Sequence, residues 1–161
     1  MISYRDKIKT QETLIKQLNR DKAEGMKIVF TNGCFDILHE GHVQYLEEAK
    51  RLGDILVVGI NSDDSVRKVK GEHRPINTID MRMGVIAGLQ SVDYVVEFEE
   101  LTPLNLIKLL MPNFLVKGGD WKIDQIVGSK EVICEGGEVH SLSLTEGIST
   151  SIIEEKILKK K

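Results

Sequence analysis

The chain has 161 residues, 41% apolar and 29% charged, with a net charge of −3 from 22 basic and 25 acidic residues. That length suits one domain (residues 1–161, with 1–25 as a helical extension), and that charge excludes a global electrostatic drive toward nucleic acid. No apolar run is long enough to span a bilayer, the first residues form no apolar signal region, and Cys34 and Cys134 form no metal or redox motif, so a cytoplasmic protein is expected.

Residues 10–23 read as a helix capped by Thr10 and ended by Gly25. Its apolar stripe, Leu14, Ile15 and Leu18, is narrow, which fits packing on the domain edge or on a partner subunit. A strand over residues 26–31 leads into the glycine-bearing loop from Asn32, then into a helix that Gly53 closes. Residues 54–60 are almost continuously apolar, as in a strand buried on both faces of a parallel sheet. A short helix follows through Val69, then the charged loop of residues 70–75. Thr78 or Asp80 caps a helix expected to bury Met81, Val85, Ile86 and Leu89 on one face. A third strand (94–97), a helix starting at Thr102-Pro103, a fourth strand (114–116), a helix through Cys134, a fifth strand (138–142) and a closing helix (152–159) complete the chain. The lysines at 159–161 suit a helix C-terminus.

Strands that alternate with helices predict an α/β fold. It is Rossmann-like and doubly wound, with a five-stranded parallel sheet of order 3-2-1-4-5 flanked by helices. Ligands in such sheets bind at the carboxyl ends of the strands where the order reverses, which brings residues 32–42 and 117–121 to one crevice.

His39 and His42 are three residues apart at a helix start, so they share one face beside free N–H groups and the positive end of the helix dipole. That is a phosphate site, and the two imidazoles can donate to oxygens that gain charge in a reaction. Gly41 between them lets a ligand approach the backbone. A zinc site fits poorly, because no third ligand has a suitable spacing. Lys117, Gly118, Gly119, Asp120 and Trp121 end a strand; they form a plain turn or a site in which Lys117 holds a phosphate and Trp121 covers a base or sugar. Lys68, Lys70, Arg74 and Arg82 form a basic cluster, in which Arg82 has apolar helical neighbours and is expected to be buried against an anion. Ser149, Thr150 and Ser151 open the last helix, as caps or as phosphate ligands. Cys34 reads as a loop-packing residue, since no adjacent base is visible.

His39-Glu40-Gly41-His42 and Gly147-Ile148-Ser149-Thr150-Ser151 together resemble the HxGH and ISSTS motifs of the cytidylyltransferase-like nucleotidyltransferases. The 116–120 and 128–132 segments, with residues 31–39, 58–63, 70–75 and 82–83, look most like the heptose 1-phosphate adenylyltransferases, stand-alone or as the C-terminal half of a bifunctional enzyme. The resemblance implies transfer of AMP from ATP, with Mg²⁺, to D-glycero-β-D-manno-heptose 1-phosphate, giving ADP-heptose and pyrophosphate. It implies catalytic roles for His39, His42, Lys70 and Arg82, and nucleotide contacts from Asn32, Gly33, Cys34, Phe35, Asp36, Gly41, Asn61 and Asp63. Gly118, Asp120, Gly147, Ile148, Ser149, Thr150 and Ser151 join the nucleotide set, while Lys117, Arg74 and Trp121 bind the acceptor. A homodimer is expected, with no nucleic-acid or membrane partner. Two alternatives stay open: a CTP-dependent glycerol-3-phosphate cytidylyltransferase, and a non-catalytic nucleotide sensor. Leu144 stands where the cytidylyltransferases carry arginine, which favours the heptose reading.

Overall fold

The computed structural model describes residues 3–143 and 147–159, so Leu144 and the last two lysines lie outside the described residues. Among the described residues, six parallel strands form one sheet in the order β1-β4-β3-β2-β5-β6. They are β1 (Ile8–Lys9), β2 (Ile28–Gly33), β3 (Ile55–Asn61), β4 (Tyr94–Phe98), β5 (Phe114–Gly118) and β6 (Glu138–Leu142). The expected five-stranded sheet is thus corrected to six strands. The five longer strands keep the 3-2-1-4-5 order among themselves, and the additional β1 sits at the edge, pairing Ile8 with Val95 and Lys9 with Val96. Two residues are too few to display a strand period, so nothing in the sequence announced it.

The helices are α1 (Gln11–Ala23), α2 (Glu40–Lys50), α3 (Asp63–Lys70), α4 (Ile79–Ala87), α5 (Leu104–Leu110), α6 (Ser129–Cys134) and α7 (Thr150–Leu158). None of the described helices is long and apolar enough to cross a membrane. The two-residue period of the strands sorts side chains onto two faces. Ile28, Phe30, Ile55 and Val57 pack with Leu14, Leu106 and Val132 from α1, α5 and α6. Val29, Leu56 and Val58 pack with Leu46 and Ile86 from α2 and α4 on the other face. β3 is buried along its whole length, as its continuous apolar run required.

Leu14 and Leu18 are buried against Phe98, Leu106, Ile107 and Leu110, so the narrow stripe of α1 packs on the domain edge and is not free to serve a partner subunit. Charged side chains close helix ends nearby. Lys22 Nζ donates to the Leu110 and Met111 carbonyls at 2.6 and 2.8 Å, and Lys7 Nζ to the Leu89 and Val92 carbonyls at 3.0 and 2.7 Å. α4 departs from expectation. Met81 and Val85 are 61% and 53% exposed, while Arg82, Ile86 and Ala87 are buried. This helix is apolar nearly all round, so hydrophobicity did not choose its inner face; the buried partners of Arg82 did.

Candidate active site

A cleft of about 860 Å³ opens at the carboxyl ends of β2 and β5, where the strand order reverses. A second hollow of about 650 Å³ lies at the β1–β4 edge, but Glu97, Glu99 and Glu100 line it and would repel an anion. The main cleft has the opposite character.

Its floor is the end of β2 and the loop that follows. Asn32, Gly33, Cys34, Phe35 and Asp36 all line the cleft. Phe35 adopts a left-handed backbone (φ 47°), and its ring fills the space beside Gly33, where a Cβ would meet Phe35 Cε2 at 2.8 Å. Glycine is therefore required at position 33 by that close approach, and Phe35 in turn braces His42, edge to face at 5.3 Å between centroids.

α2 begins at Glu40 with His39 as its N-cap, which places His42 in the first turn. The two imidazoles stack, with centroids 3.8 Å apart and planes 29° apart. The His39 N–H donates to His42 Nδ1 at 3.3 Å. His42 accepts at Nδ1, so its neutral ring carries the proton on Nε2 as a donor. His42 lines the cleft; His39 stacks behind it, with Nδ1 buried and, among the described residues, without a hydrogen-bond partner. Burial, and then the neighbouring His39, push the His42 pKa down to about 4, and burial lowers that of His39. Both rings are therefore neutral donors near pH 7 in the free protein.

This gives a pH dependence of defined sign. The folded pKa of His42 lies below the ordinary value of 6.5, so its contribution to stability is complete above pH 6.5 and is lost as pH falls toward 4. Titration of the His42 ring by NMR is expected to centre near pH 4, and to move up when a triphosphate is bound because the anion favours imidazolium. An unshifted midpoint in saturated complex would place the phosphates elsewhere.

Beneath the loop lies a fully buried guanidinium. Arg82 Nη1 donates to the Cys34 carbonyl at 2.6 Å, Nη2 to the Asn61 carbonyl at 2.8 Å and to Asp63 Oδ1 at 2.7 Å, and Nε to the Asn77 carbonyl at 3.1 Å. The side chain has no exposed surface and does not reach the cleft wall. The geometry thus differs from a direct phosphate contact: Arg82 ties the loop after β2, the end of β3 and the 74–77 turn together. Asp63 serves as its counter-ion, which takes Asp63 off the wall as well.

Asp36 pins the same turn. Its carboxylate accepts from the Ile76 and Asn77 N–H groups at 2.9 Å each and pairs with Arg74 at 2.7 Å. Burial pushes its pKa up, but these hydrogen bonds and the guanidinium outweigh burial and hold it below the usual range. Arg74 lies on the wall but also pairs with Glu154 of α7, so two carboxylates share it. Expected among the acceptor-binding residues, Arg74 thus has protein carboxylates on both sides of its guanidinium. Lys70 and Lys117 also line the cleft, and among the described residues neither is paired with a carboxylate. Burial lowers the Lys117 pKa, and Lys70 nearby lowers it further.

The cytidylyltransferase-like family matches residues 30–156. The chain belongs to that family. This cytidylyltransferase-like chain is 51% identical over 151 residues to "Bifunctional protein HldE" of Shewanella amazonensis, covering 94% of this chain and 32% of the relative. It is 58% identical over 136 residues to the protein of the same name from Haemophilus influenzae, covering 84% and 29%. It therefore spans about a third of the length of these curated relatives. Among solved structures, the lipopolysaccharide core biosynthesis protein of Thermoplasma volcanium is 32% identical with a TM-score of 0.62, covering 75% of this chain and 98% of that one. A pantoate-beta-alanine ligase from Francisella tularensis, at 17% identity, TM-score 0.56 and 94% and 77% coverage, shares the fold alone.

Of the other residues expected from sequence, Asn61, Gly118, Trp121, Thr150 and Ser151 line the cleft of this cytidylyltransferase-like chain. Gly41, Asp120, Gly147, Ile148 and Ser149 lie off its wall; Ser149 caps α7 by accepting from the Ile152 N–H at 3.3 Å, and Asp120 is exposed. Sequence reasoning missed Tyr45, whose hydroxyl lies 2.5 Å from Thr31 Oγ1 beneath the cleft; burial pushes its pKa up to about 12. It follows His42 by three residues, and that spacing was the available signal. Also missed were the apolar Val66 and Val69 of α3, Leu101 and Pro103 after β4, and Glu154.

Proposed function

We propose that this protein transfers AMP from ATP to a sugar 1-phosphate, giving an ADP-sugar and pyrophosphate, and that the sugar is D-glycero-β-D-manno-heptose. The observation that carries the reaction class is the stacked, neutral His39–His42 pair at the start of α2, with His42 on the wall of a cleft that also holds Lys70 and Lys117, neither paired with a carboxylate among the described residues. The motif resemblance and the 51–58% identity to HldE proteins support the heptose acceptor.

An oxygen of the acceptor phosphate attacks the α-phosphorus in line. The new P–O bond forms as the bond to the β-phosphate oxygen breaks, and pyrophosphate leaves with the electron pair. No enzyme-bound intermediate is needed, so the protein acts by positioning and by stabilising charge. His42 Nε2–H and the N–H groups at the start of α2 donate to oxygens that gain charge, and a turned His39 ring gains a partner for its orphaned Nδ1. Lys70 neutralises the triphosphate, Lys117 receives the acceptor phosphate, and Trp121 offers a flat face to a sugar or base. A divalent cation such as Mg²⁺ accompanying ATP would neutralise triphosphate charge in the same cleft as Lys70.

Two measurements test this reading. Incubation with MgATP alone is expected to release no pyrophosphate, whereas adding the acceptor yields pyrophosphate and ADP-sugar one to one; release without acceptor would contradict direct transfer. Lys117→Ala is expected to raise KM for the acceptor about 10- to 100-fold, the range for a lost charged hydrogen bond, with a smaller change for ATP. Equal KM values in steady-state assays would take Lys117 out of acceptor binding.

A further inference from the structure

α7 brings Thr150 and Ser151 to the cleft, yet none of its residues is buried. Ile157 and Leu158 are 58% and 65% exposed, while Ile152 and Ile153 are only half-buried. A surface helix ordinarily docks through an apolar stripe. α7 lacks a buried one and relies on polar ties. Among the described residues there are two: Thr150 Oγ1 donates to the Ile37 carbonyl at 3.2 Å, and Glu154 pairs with Arg74.

The second tie leads into the site. Arg74 is gripped from its other nitrogen by Asp36, and the turn N–H groups of Ile76 and Asn77 hold Asp36 in place. The phosphate loop, Asp36, Arg74, Glu154 and α7 thus form one connected run. A carboxylate on the wall of a cleft for polyanions is unfavourable unless neutralised, and Arg74 neutralises Glu154. We propose that Glu154 is a positioning residue: through Arg74 it docks α7 over the cleft and so sets nucleotide affinity without touching the reacting atoms. This rests on the reading of the cleft as the ATP site.

The test compares wild type, Glu154→Ala and Glu155→Ala. Alanine keeps the helix propensity high, and Glu155 offers the same charge change one residue away, where its partner is the exposed Lys159. Three quantities are read: amide hydrogen exchange across α7 in the free protein, the Kd of MgATP by calorimetry, and kcat. E154A is expected to speed α7 exchange, weaken MgATP about fivefold, as loss of a partly exposed ion pair allows, and leave kcat within about twofold. E155A is expected to match wild type in all three. Unchanged exchange and Kd in E154A would overturn the proposal. Tighter binding in E154A would overturn it too, since Glu154 would then be competing with phosphate for Arg74. If wild type itself fails to bind MgATP, the proposed function falls, while the exchange comparison still decides whether Glu154 docks α7.

Discussion

His42→Ala is expected to lower kcat by about 10²–10³-fold, roughly 2.7–4 kcal/mol of transition-state stabilisation, with the fold intact. His42 is the ring on the cleft wall, and its tautomer is fixed by the His39 N–H, so its Nε2–H is aimed without reorganisation. His39→Ala is expected to cost kcat in the same direction, because it removes the stacked partner and exposes His42 to a change of rotamer. The loss falls on kcat more than on KM if the donor acts mainly where charge develops. Circular dichroism and melting curves check the fold, and steady-state rates check the effect. Near-normal kcat in both folded variants would remove the pair from the mechanism.

Arg82→Ala is expected to give the largest loss of stability. Its guanidinium is wholly buried and makes four hydrogen bonds, so its removal strands three carbonyls and the Asp63 carboxylate. Breaking a buried pair in this way costs about 3–5 kcal/mol. Asp63 is 26% exposed and water relieves part of its charge, which puts the expected loss near the low end, about 3 kcal/mol. For a chain of this size that lowers Tm by roughly 6–12 °C. Arg82→Lys is expected to recover only part of this, since a lysine ammonium has three donors and no planar fork. Any folded Arg82→Lys protein should show a raised KM for ATP, because the Cys34 carbonyl and the 74–77 turn lose a common anchor. A variant that melts like wild type yet has lost only kcat would mean that Arg82 acts on the phosphates directly after all.

These two residues also show what was legible in the sequence. The place of the histidine pair was readable because it is set locally: a buried strand, a glycine loop and a helix start fix where both residues must be. The order of the five longer strands was readable for a similar reason, since right-handed crossovers leave few alternatives. Arg82 was legible in part: its apolar helical neighbours announce burial against an anion, and that anion is the Asp63 carboxylate. What the sequence does not show is which carbonyls also receive it: those of Cys34 and Asn61 lie 48 and 21 residues away, and only that of Asn77, five residues before it, is near in the chain. Arg74 is similar: its charge was visible, but the two carboxylates that occupy it come from positions 36 and 154. β1 was hidden by its length, and Tyr45 by reading as one more apolar position of α2.

The transfer reaction is decided by the initial rate of pyrophosphate release, with Mg²⁺, for ATP or CTP against D-glycero-β-D-manno-heptose 1-phosphate or glycerol 3-phosphate. Turnover is expected with ATP and the heptose 1-phosphate, and little with the other three pairs. Turnover with CTP and glycerol 3-phosphate, or none with any pair from a folded protein that binds MgATP, would contradict it.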